Sequence, residues 1–399
     1  MAPAPKTVEI APGIVWVGSE DFHRRLFDSL ISLPHGTSYN AYLVSGKEKV
    51  ALIDTVNPGF EDELLAKVAS VVEPTGIDYL VMNHAEPDHA AAIPRVLEAA
   101  PRARLVATRR GVEMAGLYCG VPEERRIVVK QDDTLELGGR TLRFIDAPML
   151  HWPETMFTFA VEDGVLFPCD FFGSHIASDR LFDDEVGDIV IPEAKRYYAE
   201  IMMPFLRAVR TGVEKASALK PKVIAPSHGP VYRDPARIIR AYEQWALLPL
   251  KPKAVVAYVS MWGTTARMAR AVAASLSAEG IETVPYDLTT ADVGYLASDL
   301  VDASALILGS PTVINGPHPL ASYALTLVGA LKPRLKLAAF FGSYGWGGGT
   351  ARQVQAALEP LKLELVDVLD IKGPASEEVL HQAAELGKKV AQRVRESLA

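Results

Sequence analysis

The sequence contains only two cysteines, Cys119 and Cys169, so a disulfide framework is implausible as the basis of the fold. No apolar run reaches the roughly 18 residues that a membrane-spanning helix needs. The N-terminus, M-A-P-A-P-K, lacks the apolar core of a signal peptide. A G-x-x-x-x-G-K-[ST] motif is also missing, which disfavours binding of a nucleoside triphosphate. These absences predict a soluble, cytoplasmic protein.

An excess of basic residues is also lacking. The chain has 41 Lys and Arg against 49 Asp and Glu, and the resulting net charge of −8 is spread along it. This balance disfavours a surface for nucleic acid or for an anionic membrane. Its 399 residues, 49% of them hydrophobic, exceed what one ordinary core accommodates, so we expect two or three domains.

A change of pattern near residue 250 predicts where the chain divides. The segment L-P-L-K-P-K at residues 248–253 carries two prolines, which neither continue a helix nor pair in a central strand. Before it, many short apolar runs of strand type alternate irregularly with helical patterns at about 60–70, 91–100 and 193–213. This mixture favours sheets packed against helices. We therefore predict one domain over residues 1–250 and a second over residues 251–399.

The second half alternates strictly between strands and helices. Strands are predicted at residues 255–258, 283–286, 306–308, 337–341 and 363–369. Helical segments begin near residues 266, 321, 350 and 376. About 145 residues in this order predict a doubly wound, five-stranded parallel sheet.

One short stretch suggests a metal site in the first half. The apolar run Y-L-V-M-N ends in H-A-E-P-D-H, which places His84, Glu86, Asp88 and His89 directly after a predicted strand. A single His or Asp near a strand end usually caps a turn or makes a hydrogen bond. Four such groups within six residues would repel one another or stay unsatisfied unless a cation collected them.

Three further candidates follow other predicted strands: His151, Asp170 and His228. Together with the first cluster they supply four imidazoles and three carboxylates. Two metals with about three protein ligands each and one bridging ligand would use all seven. A carboxylate-rich set favours iron or manganese, although zinc remains possible. Other histidines, at positions 23, 35, 175, 318 and 381, are expected to be structural or exposed, with His35 and His175 the best candidates for supporting roles.

The cluster resembles the H-x-H-x-D-H signature of metallo-β-lactamase-fold hydrolases, with Glu86 in place of the second His. The H-x-E-x-D-H form is typical of flavodiiron proteins. This resemblance implies an N-terminal metallo-β-lactamase-like αββα sandwich with two irons and a flavodoxin-like domain after it. It further implies that His84, Glu86 and His151 hold the iron nearer the flavin. Correspondingly, Asp88, His89 and His228 hold the second iron, and Asp170 bridges the two.

Three loops in the second half predict a flavin site. S-M-W-G-T-T, at residues 260–265, lies between a strand and a helix N-terminus and offers hydroxyls and main-chain N–H groups to a phosphate. Two further loops, residues 309–317 and 342–349, carry glycines that let main-chain N–H groups approach an isoalloxazine closely. Trp262, Tyr344 and Trp346 offer flat surfaces for packing on it. Alternatively, these loops are only tight turns and the tryptophans line a subunit interface. The predicted FMN contacts are Ser260, Met261, Trp262, Gly263, Thr264, Thr265, Pro311, Thr312, Val313, Ile314, Asn315, Gly316, Ser343, Tyr344, Gly345, Trp346 and Gly347.

The loop S-x-x-G-T-T resembles the phosphate loop of flavodoxin, so the flavodiiron pattern extends over nearly the whole chain. The resemblance implies reduction of O2 to water, of NO to N2O, or of both, at an oxo- or hydroxo-bridged diiron centre fed by FMN. Tyr198 is predicted to be the tyrosine that this family places over the open iron position. Phe27-Asp28-Ser29-Leu30 replaces the F-H-G-Y found in many members, which leaves the preference between the two gases open.

The same resemblance implies partners. No rubredoxin or flavin-reductase module follows the last predicted helix, so we expect electrons from a separate donor, a rubredoxin-like protein or a reduced deazaflavin coenzyme. A head-to-tail homodimer, or a dimer of dimers, would bring one subunit's flavin to the other's irons. Two alternatives are a zinc hydrolase fused to an electron-transfer domain and a flavin-carrying protein with a vestigial metal site. Glu86 argues against the first, and the intact seven-residue set against the second.

Overall fold

The structure, a computed structural model, describes residues 6–399. It forms two compact units that divide between Ala246 and Leu247. The N-terminal segment M-A-P-A-P, in which no signal peptide was predicted, lies outside the described residues. No helix from residue 6 onward is both long enough and apolar enough to cross a membrane.

The first unit contains two large sheets. The strands β1 to β16 are Val8–Ala11, Ile14–Trp16, Ser19–Asp21, Leu26–Phe27, Ile31–Ser32, Thr37–Tyr39, Tyr42–Ser45, Val50–Ile53, Tyr79–Val81, Arg104–Thr108, Arg126–Val129, Thr134–Glu136, Thr141–Asp146, Met156–Ala160, Val165–Phe167 and Val223–Ile224. One sheet has the order β1-β2-β7-β8-β9-β10-β11, and the other has the order β12-β13-β14-β15-β16. Each is antiparallel over its first strands, but β8 to β11 are parallel, as are β15 and β16. Two small hairpin-like pairs, β3 with β6 and β4 with β5, complete the unit.

The helices α1 to α8 of this unit are Glu61–Val71, Pro87–Ala90, Ile93–Ala99, Arg109–Cys119, Asp183–Val186, Val190–Tyr197, Leu206–Leu219 and Pro235–Ala246. A π-helical turn, Tyr198–Met202, and a short 3-10 turn, Met203–Phe205, join α6 to α7. One apolar core contains buried residues of both sheets, such as Val44 and Phe144, and a second packs α1, α3 and α4 on the first sheet. The two sheets therefore share an interior, as a sandwich requires.

The second unit contains strands β17 to β22, which are Lys253–Tyr258, Glu282–Asp287, Ala305–Val313, Gly316–Pro317, Leu337–Tyr344 and Glu364–Lys372. Helices α9 to α13 are Thr264–Ala278, Val293–Leu300, Pro319–Leu331, Thr350–Leu358 and Glu377–Leu398. Five strands pair in parallel in the order β18-β17-β19-β21-β22, which is the flavodoxin-like order 2-1-3-4-5. One core packs α9 and α13 on one face of the sheet, and another packs α10, α11 and α12 on the other face. The predicted doubly wound sheet is confirmed.

Two details differ from the prediction. Helix α10 was not predicted because its eight residues give too short a periodic pattern. Asp292 caps this helix by accepting hydrogen bonds from the N–H groups of Gly294 and Tyr295. The predicted loop at residues 309–317 is partly strand, because β19 runs on and turns back into β20. Ile314 and Asn315 form this two-residue turn with positive φ, the backbone that such tight hairpins require.

Candidate metal centre and flavin site

The seven candidate metal ligands converge at one edge of the first unit. The H-A-E-P-D-H cluster follows β9 in one sheet and enters the short helix α2, while His151, Asp170 and His228 come after β13, β15 and β16 in the other sheet. Because β15 and β16 are parallel, Asp170 and His228 leave the sheet at the same end. The ends of four strands thus place these ligands around a single point.

The first group consists of His84, Glu86, His151 and one oxygen of Asp170. Nε2 of His84 lies 3.2 Å from Oε2 of Glu86 and 3.5 Å from Oδ2 of Asp170. Nε2 of His151 lies 3.0 Å from Oε2 of Glu86 and 3.3 Å from Oδ2 of Asp170. Two imidazole nitrogens and two carboxylate oxygens therefore point at a common centre.

The second group consists of Asp88, His89 and His228. Nε2 of His89 lies 3.4 Å from Oδ1 of Asp88, and Nε2 of His228 lies 3.3 Å from Oδ2 of Asp88. The other oxygen of Asp170, Oδ1, lies 2.9 Å from Nε2 of His89 and 3.5 Å from Nε2 of His228. Asp170 thus directs one oxygen at each group, which is the position of a bridging carboxylate.

Several buried polar atoms in this cluster lie close to one another without forming a well-aligned hydrogen bond. They include both carboxylate oxygens of Asp88, both ring nitrogens of His89 and Oδ1 of Asp170. Burying an unsatisfied polar group costs on the order of 1–3 kcal/mol, and more when the group is charged. Several such atoms converging in one place fit a pair of cations.

The electrostatics of the cluster lead to the same conclusion. Burial alone would lower the pKa of His89, but the carboxylates of Asp88 and Asp170 outweigh it and raise that pKa to about 10. Burial likewise opposes protonation of His151, yet its hydrogen bonds to Asp170 and Glu86 raise the pKa to about 10. The carboxylates therefore stabilise positive charge at the centre, and without a metal that charge is carried by protonated imidazoles. Metal binding would displace those protons, since imidazole ligates in its neutral form.

Sγ of Cys169 lies within 4.8 Å of a ring nitrogen of His89 and a carboxylate oxygen of Asp170. Burial, together with the nearby charges of Asp54 and Asp170, raises the pKa of this thiol well above its usual value. A protonated thiol is a poor metal ligand. The oxygen- and nitrogen-rich set therefore remains the candidate, which suits iron better than a thiolate-selective metal.

Several supporting residues were missed in the sequence. Oε1 of Glu154 lies 2.7 Å from Nδ1 of His84 and also accepts the N–H of Ala85 at 2.9 Å. Glu154 follows His151 in H-W-P-E-T, and this proximity is the only sequence signal for it. On the other side, the main-chain oxygen of Ser38 lies 2.6 Å from Nδ1 of His228. Such contacts fix which ring nitrogen of each histidine faces the centre.

Two of the predicted supporting histidines occupy different environments. His175 is buried beside His228, with ring centroids 5.2 Å apart, and Thr37 Oγ1 lies 2.9 Å from its Nδ1. His35 is partly exposed, and its Nε2 lies 3.8 Å from Oε1 of Glu193. Only His175 contacts a candidate ligand directly.

Tyr198 does not occupy the expected place beside the candidate ligands. Its ring packs on Tyr242 and Trp245, with centroid distances of 5.2 and 5.4 Å. The preceding residue, Tyr197, lies 4.8 Å from the His175 ring and 5.8 Å from the His228 ring. The tyrosine beside the candidate centre is therefore Tyr197.

The segment that departs from F-H-G-Y forms the turn between β4 and β5. Asp28 and Ser29 both have positive φ, and Phe27 packs its ring 4.7 Å from that of His175. Burial and the charges of Glu86 and Asp88 raise the pKa of the Asp28 carboxyl. The departure from the family pattern thus lies next to the candidate centre.

The three predicted flavin segments lie at the carboxyl ends of β17, β19 and β21, which are neighbours in one parallel sheet, so these ends share an edge. Oγ of Ser260 is buried without a hydrogen-bond partner. Gly263 is the N-cap of α9 with φ 87°, and as a glycine it has no side chain to accept from the first N–H groups of that helix. The Ser260 hydroxyl and a helix N-terminus at one place fit a phosphate group.

Aromatic and apolar side chains extend from the same three loops. Trp262 is 90% exposed, Ile314 92% and Trp346 87%, which makes them the three most exposed large hydrophobic residues that the structure describes. Oγ1 of Thr312 lies 2.6 Å from Oγ1 of Thr350, which ties the second loop to the start of α12. The second unit thus offers a phosphate cradle and flat apolar surfaces at one edge, as FMN needs.

Comparison with known proteins agrees with this geometry. A family model described as "ODP family beta lactamase" matches residues 37–229, and the Flavodoxin model matches residues 256–387. The chain is 40% identical to the nitric oxide reductase of Moorella thermoacetica, over 97% of this chain and 98% of that protein. It superposes on rubredoxin oxygen:oxidoreductase of Desulfovibrio gigas with a TM-score of 0.95, at 31% identity and covering 99% of this chain and 100% of that one. For the flavodiiron protein of Giardia intestinalis the TM-score is 0.93, at 33% identity over 99% and 98% of the two chains.

A metallo-β-lactamase-like unit with a two-metal donor set, followed by a flavodoxin-like unit, defines a flavin- and metal-dependent oxidoreductase. The chain belongs to the flavodiiron protein family.

Proposed function

We propose that this protein reduces O2 to water, NO to N2O, or both, at a non-haem diiron centre that receives electrons through FMN. The observation that carries the proposal is Asp170, whose two oxygens face two separate ligand groups within hydrogen-bonding distance of their imidazoles. Metallo-β-lactamase-fold hydrolases usually carry His at the position of Glu86. The extra anionic oxygen stabilises oxidised iron.

In this proposal each iron has its own ligands. His84, Glu86 and His151 hold the first iron, Asp88, His89 and His228 hold the second, and Asp170 bridges both. When bound, the irons and FMN supply the electrons for gas reduction.

The protein's own contribution is to orient the ligands and to place a hydrogen-bond donor beside them. Glu154 and the Ser38 carbonyl hold the rings of His84 and His228 so that Nε2 faces the centre in each case. Tyr197, buried against His175 and His228, places a phenol beside the second ligand group. Burial and the charges of Asp170 and Asp88 raise the pKa of Tyr197 well above its usual value, so the hydroxyl keeps its proton and can donate a hydrogen bond.

In the second unit, the phosphate of FMN is expected in the loop of Ser260, Gly263 and Thr264, at the start of α9. The predicted contacts in the other two loops would border the isoalloxazine. Trp262 and Trp346 are exposed enough to cover it.

Anaerobic stopped-flow tests the function. The protein is loaded with iron and FMN, reduced, and mixed separately with O2 and NO. We expect reoxidation of the flavin by at least one gas, with water or N2O as product and two irons per chain. Two zincs per chain, with turnover of an ester or lactam and no reductase activity, would contradict the proposal.

We also propose that electrons come from a separate donor, a rubredoxin-like protein or a reduced deazaflavin coenzyme, and that the protein works as a head-to-tail homodimer. Because Asp170→Ala removes the bridge and Thr264→Glu repels the phosphate, each variant alone should be inactive. Purified mixed dimers should regain up to about half of the wild-type activity, since one flavin-to-iron pair stays intact. Mixed dimers that form and remain inactive would contradict electron transfer between subunits.

A further inference from the structure

The loop that carries His228 into the candidate centre, residues 226–229, has the sequence P-S-H-G and follows β16. This strand has only two residues, so its sheet gives the loop little support. The other two members of the second ligand group, Asp88 and His89, lie in helix α2 instead. Contacts from outside the loop must therefore hold His228 in place beside Asp88 and Asp170.

The side-chain amide of Asn40 contacts this loop on both sides of His228. Its Nδ2 donates to the main-chain oxygen of Pro226 at 2.9 Å and to that of Gly229 at 2.8 Å. The main-chain N–H of Asn40 donates to the oxygen of Ser227 at 2.8 Å. Asn40 is fully buried, so water does not compete for these bonds. One residue thus binds three of the four main-chain oxygens of the loop.

Trp16 fixes the orientation of this amide from the opposite side. Its Nε1 donates to Oδ1 of Asn40 at 2.8 Å. An indole N–H can only donate and a main-chain oxygen can only accept, so the amide oxygen must face Trp16 and the amide nitrogen must face the loop. Asparagine supplies an acceptor on one side and two donors on the other, whereas an ionised aspartate of the same size has no donor.

The main chain on both sides of these contacts is also confined. Gly18 packs so closely on Asn40 that a Cβ on Gly18 would lie 2.7 Å from Cα of Asn40. At the end of the loop, Gly229 has φ +74°, and a Cβ there would clash with Ser174. The N–H of Gly229 donates to Oγ of Ser38 at 2.8 Å. Neither Asn40 nor the end of the loop therefore has room to shift when their contact is lost.

We propose that Asn40 is a positioning residue for the second metal, because its amide sets where His228 stands relative to Asp88 and Asp170. The inference rests on the proposed function in one respect, since it takes Asp88, His89 and His228 as the ligands of one metal. Loss of the amide should weaken the binding of that metal and spare the metal of the first ligand group.

The test measures how the iron- and FMN-loaded protein retains each metal. Asn40→Asp keeps the size of the side chain but turns a carboxylate towards the main-chain oxygens of the loop. Iron per chain is measured against rising EDTA concentration under anaerobic conditions. We expect half of the iron to leave at a roughly 10- to 100-fold lower EDTA concentration than in wild type, and the other half to leave at the wild-type concentration.

Mössbauer spectra identify which iron leaves first. The iron that remains in half-depleted Asn40→Asp should give the spectrum of His228→Ala, which lacks a ligand of the second group, and not that of His84→Ala. The matched control is Val96→Ala, which removes buried methyl groups from α3 in the same unit. This control should retain both irons as wild type does, whereas an effect of general destabilisation would release both irons early in both variants.

A second variant keeps Asn40 and changes only its orientation. Trp16→Phe removes the indole N–H that holds the amide oxygen, so the same iron should leave first with a smaller shift in EDTA concentration. This variant carries the test if Asn40→Asp does not fold. Unchanged retention of the second iron in either folded variant, or earlier loss of the first iron, would overturn the role of Asn40. The readout does not depend on turnover, so a wild type that reduces neither gas would overturn the proposed function alone.

Discussion

Glu154 offers a sharp test of how the candidate centre is built. Its Oε1 lies 2.7 Å from Nδ1 of His84 and accepts the N–H of Ala85, and its side chain is 1% exposed. Glu154→Gln keeps the shape but removes the charge that makes the His84 ring a strong ligand. Loss of such a partner typically lowers metal affinity 10- to 100-fold, or about 1.4–2.8 kcal/mol.

The effect should fall on one metal of the two. His84 belongs to the first ligand group only, whereas the second group consists of Asp88, His89 and His228, and the Ser38 carbonyl rather than Glu154 orients His228. Iron retained per chain is measured by mass spectrometry against rising chelator concentration under anaerobic conditions. In Glu154→Gln we expect half of the iron to leave at a 10- to 100-fold lower chelator concentration than in wild type, and the other half to leave at the wild-type concentration.

The matched control is Glu162→Gln, which removes an exposed carboxylate that accepts hydrogen bonds from Thr141 at a hairpin of the same sheet. It should leave iron retention unchanged. If Glu154→Gln lost both irons together, or retained both with unchanged affinity, then its contact with His84 would not govern a single site. A circular dichroism spectrum identical to that of wild type excludes general unfolding as the cause.

Three further changes have defined outcomes. Asp170→Asn should weaken the binding of both metals together, because each oxygen of the carboxylate faces one ligand group. Loss of one metal alone in the iron analysis would contradict a bridging role for Asp170. Thr264→Glu should expel FMN while iron content is preserved, since a carboxylate would face the phosphate. Thr264 is the better position because Thr265 is buried. Full flavin occupancy on extraction would contradict the assignment of this loop. Burial raises the pKa of Glu20 from its usual 4.5 to about 8, although the hydrogen bond from the Ser178 N–H acts to lower it. The folded state therefore binds this proton more tightly than the unfolded state does. The free energy of unfolding, measured with urea, should therefore fall as pH rises from about 4.5 to 8. This fall should be smaller in Glu20→Gln than in wild type or in the exposed-site control Glu48→Gln. Equal pH dependence in all three proteins would refute the linkage.

The four ligands after β9 were the most direct prediction because they are local in sequence, whereas His151, Asp170 and His228 were predicted only from their positions after other strands. His84, Glu86, Asp88 and His89 follow one strand within six residues, so their convergence needs no knowledge of the tertiary fold. The order of strands in the second unit was predictable for a similar reason, because a regular strand–helix alternation permits few topologies.

The parts that were not predicted depend on helix phase and on long-range packing. Tyr197 and Tyr198 are adjacent, so they lie about 100° apart around the helix axis, and sequence alone does not reveal which one faces the centre. Their position at the junction of α6 with a π-helical turn shifts the phase further. Glu154 lies 70 positions from His84 in the sequence, and the packing of the two sheets brings them together.

The distribution of tryptophan along this chain has a practical consequence. Trp262 and Trp346 stand in the two loops where the flavin is expected, and Trp152 stacks edge-on to the His84 ring at 5.0 Å. The remaining two indoles, Trp16 and Trp245, are buried elsewhere in the first unit. Emission from the loop indoles should be quenched by energy transfer when flavin loads, and emission from Trp152 when paramagnetic iron loads. Single replacements by Phe would separate the two signals, so that cofactor loading of each unit can be followed in real time without an added label.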